Sequence, residues 1–302
     1  MSNDIQPGAP VLVTGASGFL GSHVADELSE AGYKVRLLDQ QVSPWKRIDQ
    51  DMVVGDLLNP DVVSEAIKGV HAIFHFGAIG DIGKAGENPP RTAEVNVLGT
   101  VNLLEAARQA QVERFIFAST VYVFSDQGGF YRASKQACER FIETYQEQYA
   151  LDYTIIRYGT LYGRRAGMNN RIHAMIRMAL TDGLIRHPGS GEALREFIHV
   201  RDAARLSAKM LEHQYRNSHY MLTGQEKHRV IDAARMIKEI LPGDIELQFD
   251  EGEPEGHYQL TPYTFNPRVG HKLVPSDYVD FGQGLLDCIN EQYQPDDDAI
   301  SA

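Results

Sequence analysis

Up to about residue 158 the chain alternates short apolar runs with longer segments of helical spacing, and this alternation constrains the fold more than any other feature of the sequence. Strands are predicted at 11–13, 34–38, 52–54, 72–76, 114–118 and 153–157. Helices are predicted at 20–31, 62–67, 95–109 and 134–149. Strands separated by helices of this length imply βαβ units, hence a parallel sheet covered on both faces. Right-handed crossovers then give a doubly wound α/β fold with its ligand at the carboxyl ends of the strands. After Tyr162 the pattern loosens, as Gly163, Gly167, Gly183, Pro188, Gly189 and Gly191 interrupt shorter helices. We therefore expect residues 1–162 to form the nucleotide-binding domain. Residues 163–302 are expected to form mainly a smaller α/β substrate lobe, with some segments returning to the sheet edge. The acidic triplet Asp296, Asp297 and Asp298 reads as a solvated tail.

The turn after the first strand carries Gly15, Gly18 and Gly21. Glycines at this strand–helix junction allow positive-φ turns, close backbone approach to a pyrophosphate and tight helix–strand contact. The helix N-terminus adds about half a positive charge toward the phosphates. The fold class is thus a Rossmann sheet binding a dinucleotide. Asp39 ends the second strand, where an acid bonds the adenosine ribose hydroxyls and repels a 2′-phosphate, so NAD is expected rather than NADP. Asp56, after the third strand, suits either the adenine edge or a turn-stabilising role.

The chain has 302 residues, a net charge of −12 and no basic face in prospect, which argues against nucleic-acid and anionic-membrane partners. No apolar run reaches the ~20 residues of a membrane span, and no signal peptide is visible at Met1. A cytoplasmic location is expected. Cys138 and Cys288 form no CxxC or Cys/His cluster, so neither a disulfide framework nor a zinc site is expected. His71 and His75 lie on a strand approach rather than at helical spacing, which leaves no metal site in view.

Tyr131 and Lys135 stand four apart on one face of the helix after strand five. A free phenol, with a pKa near ~10, is too weak a base at neutral pH. A neighbouring ammonium and a positive nicotinamide would favour the phenolate and lower that value. Thr120 ends strand five, where its hydroxyl reaches the same crevice.

These segments together resemble the extended short-chain dehydrogenase/reductases, specifically the NAD-dependent nucleotide-sugar epimerase/dehydratase family. The matching stretches are 14–21, 55–57, 75–78, 96–100, Ser119 with Thr120, 131–135, Arg157 with Tyr158, Tyr162 with Gly163, and 195–200. The resemblance implies that Tyr131 is the acid/base, that Lys135 orients it and binds ribose, and that Thr120 is the hydroxyl partner. It places Ser17, Phe19, Leu20, Leu57, Phe76, Gly77, Ala78, Asn96, Ser119 and Tyr158 around the cofactor, with the glycines, Asp39 and Asp56. Thr160, Asn170 and Arg195 become contacts to the sugar nucleotide, and the forked guanidinium of Arg195 suits a diphosphate. His199 is expected to be structural. The family's usual homodimer would pack the helices at 95–109 and 134–149.

The chain departs from the family in three places. Val121 and Tyr122 stand where 4,6-dehydratases carry Asp and Glu, and where decarboxylases carry Glu at the second position. Thr160 stands where many members have Asn, and the interval from Thr120 to Tyr131 is short. Without an acid at 121 or 122, elimination lacks a proton donor. The expected function is therefore an NAD-dependent epimerase of a nucleoside-diphosphate sugar, acting through transient C4 oxidation. A net C4 dehydrogenase or ketoreductase shares every residue named. A non-catalytic NAD-binding regulator ranks below both, because the Tyr/Lys pair is kept.

Overall fold

A computed structural model describes residues 4–251, 256–259 and 271–293. The acidic triplet 296–298 lies outside the described residues.

The first half runs β1 (Pro10–Thr14), α1 (Phe19–Glu30), β2 (Lys34–Asp39), β3 (Asp51–Val54), α2 (Pro60–Ala66) and β4 (Ala72–His75). Two short helices, α3 (Ile82–Glu87) and α4 (Pro89–Thr92), lead through a π-helical turn (Ala93–Leu98) into α5 (Gly99–Gln109). Then come β5 (Arg114–Thr120), a 3₁₀ turn (Val121–Phe124), α6 (Gly129–Tyr149), β6 (Tyr153–Tyr158) and β7 (Thr160–Tyr162). The second half runs α7 (Arg171–Asp182), β8 (Leu184–His187), β9 (Leu194–Arg195), β10 (Phe197–His199) and α8 (Val200–Ala208). It continues through β11 (Ser218–Leu222), β12 (His228–Arg229), α9 (Val230–Ile240), β13 (Glu246–Phe249), β14 (His271–Lys272) and α10 (Phe281–Tyr293).

Eight strands form one parallel sheet in the order β14-β11-β6-β5-β4-β1-β2-β3. This is the doubly wound Rossmann arrangement. The order reverses between β1 and β4, and that reversal opens a crevice at their carboxyl ends. The central strands read as continuous apolar runs because both faces are covered: β4 and β6 are buried along their whole length. One face packs Val11, Val13 and Ile156 against α1 and α8, through Val24, Ala203, Ala204 and Leu206. The other packs Leu12, Ile73 and Phe115 against α2, α5 and α6. A third core, around Tyr162, Ile176, Phe197, Ile237 and Leu285, belongs to the second half. Three two-stranded sheets (β7 with β10, β9 with β12, β8 with β13) shape that half.

Two boundaries differ from expectation in ways that matter for the site. The helix predicted at 134–149 begins at Gly129, because Gly128 takes a left-handed φ of 91° as its N-cap and the chain enters the helix at once. Tyr131 therefore sits in the first turn of α6. The helix predicted at 95–109 is split: its first residues belong to the π turn, which holds Asn96.

Candidate active site

The glycine turn is closed to any side chain. Gly15 has φ +66°, and a Cβ there would lie 2.6 Å from the backbone nitrogen of Gly77 on the neighbouring loop. α1 starts from Gly18 with no side-chain cap and no acid in its first turn, so its leading amides are left for an outside acceptor. Asp39 reaches this turn from β2, its Oδ2 accepting the Ser17 N–H at 2.9 Å. A backbone cradle no Cβ could enter, an uncapped helix N-terminus and a strand-end acid together fit a dinucleotide.

The loops around this cradle are held by side chains. Thr100 donates its hydroxyl to the Asn96 carbonyl at 2.5 Å, so it accepts from His75 Nε2 at 2.9 Å. His75 Nδ1 must then accept from Thr14 at 2.7 Å, and Thr14 Oγ1 accepts the Gly77 N–H at 3.1 Å. Burial drives the His75 imidazole down to about 3, so it stays neutral in this chain of bonds. Asn96 accepts the Ile79 N–H at 2.7 Å and donates to the Ile79 carbonyl and the Ser134 hydroxyl. Its amide supports the cofactor loop rather than offering itself to a ligand. Asp56 makes the turn-stabilising bond to Leu58 N–H at 2.9 Å and also takes Gln40 and Arg91 on its second oxygen. Leu57 packs under Gly77. Phe76 and Ala78 flank Gly77 on the same loop, and Phe76 meets the Tyr158 ring at 6.4 Å.

Two expected cofactor contacts are not presented by their side chains. Tyr158 points into the core, with its hydroxyl 2.5 Å from Ser207 Oγ. Ser119 gives its hydroxyl to the buried Glu139 at 2.6 Å, and Glu139 is also gripped by both arms of Arg157. In each case a buried polar group found a protein partner, as burial demands.

β5 and α6 bring the reactive side chains together. Thr120 and Tyr131 face the same cleft, and the Thr120 hydroxyl is close enough to favour the Tyr131 phenolate. Lys135 Nζ donates to the Ala118 carbonyl at 2.8 Å and lies 5.9 Å from the centre of the Tyr131 ring. The lowering expected of Tyr131 depends on a bound nicotinamide, and the protein alone acts in the other direction. Burial pushes Tyr131 up to about 12, with only the Thr120 hydroxyl opposing it. Burial also brings the Lys135 ammonium down to about 8, and one of its protons goes to the Ala118 carbonyl.

Thr120 and Tyr131 line a cleft of 1910 Å³, counted to its open mouth. Its enclosed part holds about 680 Å³, within the ~300–1,000 Å³ of a small-ligand pocket. Asp81, Tyr122, Thr160, Asn170, Arg171, Arg195, His257 and Tyr258 line it as well. Arg195 lies over the Tyr258 ring at 4.5 Å and Thr160 Oγ1 is 3.4 Å from the Tyr258 hydroxyl. The Asn170 amide is engaged at home: it caps α7 at His173 N–H and donates to the Leu161 carbonyl at 2.7 Å. Among the described residues neither Arg171 nor Arg195 forms an ion pair with a carboxylate.

Arg171 is a site residue that sequence reasoning passed over. It opens α7, where the helix dipole disfavours a cation. Burial and then the like charge of Arg195 push its guanidinium below the usual range. An anion between the two would relieve all three penalties. Tyr122 was read only as a missing acid, yet its hydroxyl meets His257 Nδ1 at 2.8 Å and its ring lies 4.7 Å from that of Tyr258. No spacing signal links residues so far apart. Among the described residues no group of three or more His, Cys, Asp or Glu side chains is placed to hold a metal ion.

Residues 11–222 match the model of the NAD dependent epimerase/dehydratase family. The chain is 28% identical over 224 residues to a provisionally assigned UDP-glucose 4-epimerase of Methanocaldococcus jannaschii, covering 67% of this chain and 73% of that one. It is 26% identical over 277 residues to a Bacillus subtilis UDP-glucose epimerase that is itself uncharacterised, covering 81% and 87%. Its fold is similar to that of Thermus thermophilus UDP-glucose 4-epimerase in complex with NAD: TM-score 0.79, 25% identity, 95% of this chain and all of that one.

Proposed function

The chain belongs to the NAD-dependent epimerase/dehydratase family, an enzyme family, and NAD is its cofactor; within that family we propose that it is a 4-epimerase of a UDP-sugar. The observation that carries this reading is that Thr120 and Tyr131 share one cleft with two guanidiniums that, among the described residues, pair with no carboxylate. The uridine nucleotide comes from the relatives, whose names specify UDP-glucose.

Arg171 and Arg195 hold the diphosphate, which offsets the cost of two like charges in a confined site. Thr120 hydrogen-bonds the C4 oxygen, and Tyr131 takes the proton from that hydroxyl and later returns it. Bound NAD would supply the hydride acceptor, and in return the donor, for C4. Lys135 lies beneath Tyr131 on the next turn of α6, and its charge supports the phenolate. Inversion requires the 4-ketosugar to turn over before the hydride returns. The short 121–131 interval leaves the cleft open enough for that.

Neither Val121 nor Tyr122 is a carboxylic acid, which supports epimerisation over dehydration or decarboxylation. Incubation with UDP-glucose or UDP-galactose, followed by NMR, should show each converting to the other without NADH accumulating. Build-up of NADH without an epimer would overturn epimerisation in favour of net C4 oxidation. The same reading places the enzyme in the cytoplasm as a homodimer packed through α5 and α6. Exposed Leu98, Phe141 and Tyr149 support that packing, and light scattering at twice the chain mass would test it.

A further inference from the structure

We propose that Tyr122 and His257 form a second proton-transfer pair in the cleft. The pair exchanges the proton on a ring carbon beside C4, C3 or C5, while C4 is a ketone. This rests on the 4-ketosugar of the reading above and extends it to a second position on the ring.

The pair is held from several sides. Tyr122 leaves β5 two residues after Thr120, and its ring packs against Gly128, where a Cβ would approach to 2.8 Å. On its other side lies the Tyr258 ring. The segment bearing His257 is anchored at both ends: Gly128 N–H donates to the Gly256 carbonyl at 3.0 Å, and Leu194 N–H to the Gln259 carbonyl at 2.9 Å. One anchor comes from the loop before α6 and the other from β9, so the segment spans the cleft. Tyr122 and His257 line it together with Thr120 and Tyr131.

Among the described residues, Arg171, Arg195 and Asp81 are the charged groups acting on His257, and Arg195 with the titratable Tyr131 and Tyr258 those acting on Tyr122. Burial first, and then the two guanidiniums, lower the imidazole below its ordinary value, so it is neutral; in the tautomer that leaves Nδ1 bare, Tyr122 donates to it. The lone pairs of the Tyr122 oxygen are then free to accept.

A C–H next to a ketone is acidic because the electron pair it leaves spreads onto the ketone oxygen. That oxygen here meets the Thr120 and Tyr131 hydroxyls. As the C–H bond breaks, its proton goes to the Tyr122 oxygen and the phenolic proton passes to His257 Nδ1. The C–H electron pair becomes a C=C bond, and the C4 carbonyl becomes an enolate. Reversal with a proton drawn from water restores the ketone, with no net oxidation or reduction. The imidazolium formed in between is balanced by diphosphate on Arg171 and Arg195. Val121 offers no acid to a departing C6 oxygen, so exchange is expected without loss of water.

The test is incubation with UDP-4-keto-6-deoxyglucose in D₂O, read by NMR and mass. That sugar is already a ketone, so the experiment does not depend on hydride transfer. Wild-type protein should place deuterium at C3 or C5 faster than buffer, and Tyr122→Phe and His257→Gln should each slow this about 100-fold. Interconversion of UDP-glucose and UDP-galactose by the same preparations reports the functional reading separately. Loss of interconversion in the wild type with exchange intact sinks that reading and leaves the pair standing. Wild-type exchange no faster than buffer overturns the pair, as does full exchange in either variant. Equal loss of exchange and interconversion in a variant marks a structural role and also overturns it.

Discussion

The two walls of the cleft are built on opposite principles. On the cofactor wall, polar groups answer one another before any ligand arrives. Asp39 takes the Ser17 amide, Thr14, His75 and Thr100 form a closed chain to Gly77, and Asn96 ties Ile79 to Ser134. On the other wall, two guanidiniums share one space and, among the described residues, neither pairs with a carboxylate; one of them sits at the wrong end of a helix. The first wall is preorganised, and on the function proposed above the second is completed by the charge of what it binds. A site can thus hold its cofactor in a rigid seat and still spend substrate binding on relieving strain.

The largest expected effect lies where the walls meet. Tyr131→Phe should lower kcat about 10²- to 10⁴-fold while NAD affinity, measured by fluorescence titration, stays put. A variant with full kcat would remove the acid/base role. Next, the rigidity of the cofactor wall can be set against the openness of the other. Gly15→Ala puts a Cβ at φ +66° against Gly77 and should destabilise the protein by about 2–3 kcal/mol. Gly167→Ala, on that other wall with nothing within 4 Å of its Cβ, should stay within about 0.5 kcal/mol. Equal shifts in thermal melting would erase the contrast.

Replacing Arg171 or Arg195 by Gln should weaken UDP binding about 10- to 100-fold in calorimetry without lowering the melting temperature of the free protein. A drop in that temperature would mean the pair is structural. Asp39→Asn should raise relative affinity for NADP about tenfold, by removing the repulsion of a 2′-phosphate. An unchanged preference argues that Asp39 serves only Ser17.

The smallest effect concerns two buried histidines, His75 on the cofactor wall and His199 outside the cleft. His75 is held at about 3, and His199, whose Nδ1 caps α8, at about 4. Both pKa values are depressed from 6.5, so between about pH 4 and 6.5 the unfolded chain binds more protons than the folded one. Stability therefore falls as pH drops through that window. From pH 7 to 6 the two together should cost about 1.4 kcal/mol, visible as a lower melting temperature. A flat profile would break the neutral-imidazole account of both.

What sequence could show followed the same division. The alternating strands, the glycine turn, Asp39 and the Tyr131–Lys135 spacing were legible because each is settled within a few residues by backbone geometry. The start of α6 was missed because a glycine pair reads as a turn, although one glycine in the left-handed region is enough to launch a helix. Tyr158, Asn96 and Asn170 look free in sequence, yet each had its polar atoms taken by distant partners. The raised Tyr131 follows from burial, which no local pattern reveals. Arg171 and the Tyr122–His257 contact depend on α7, β9 and the 256–259 segment converging on the cleft.

The return of the second half to the first bears on how the chain is made. On a ribosome, β1 to β6 emerge before α8 and β11. Until about residue 222 has cleared the exit, β6 presents an unpaired parallel edge, and the apolar face of α1 waits for the α8 residues that cover it. Long-range parallel pairing of this kind forms late and leaves sticky surface exposed meanwhile. A nascent chain released near residue 217 would carry every reactive side chain at Thr120, Tyr131 and Lys135. It would lack the strand that closes the sheet beside them, and a chaperone would have more reason to recognise it than a substrate would.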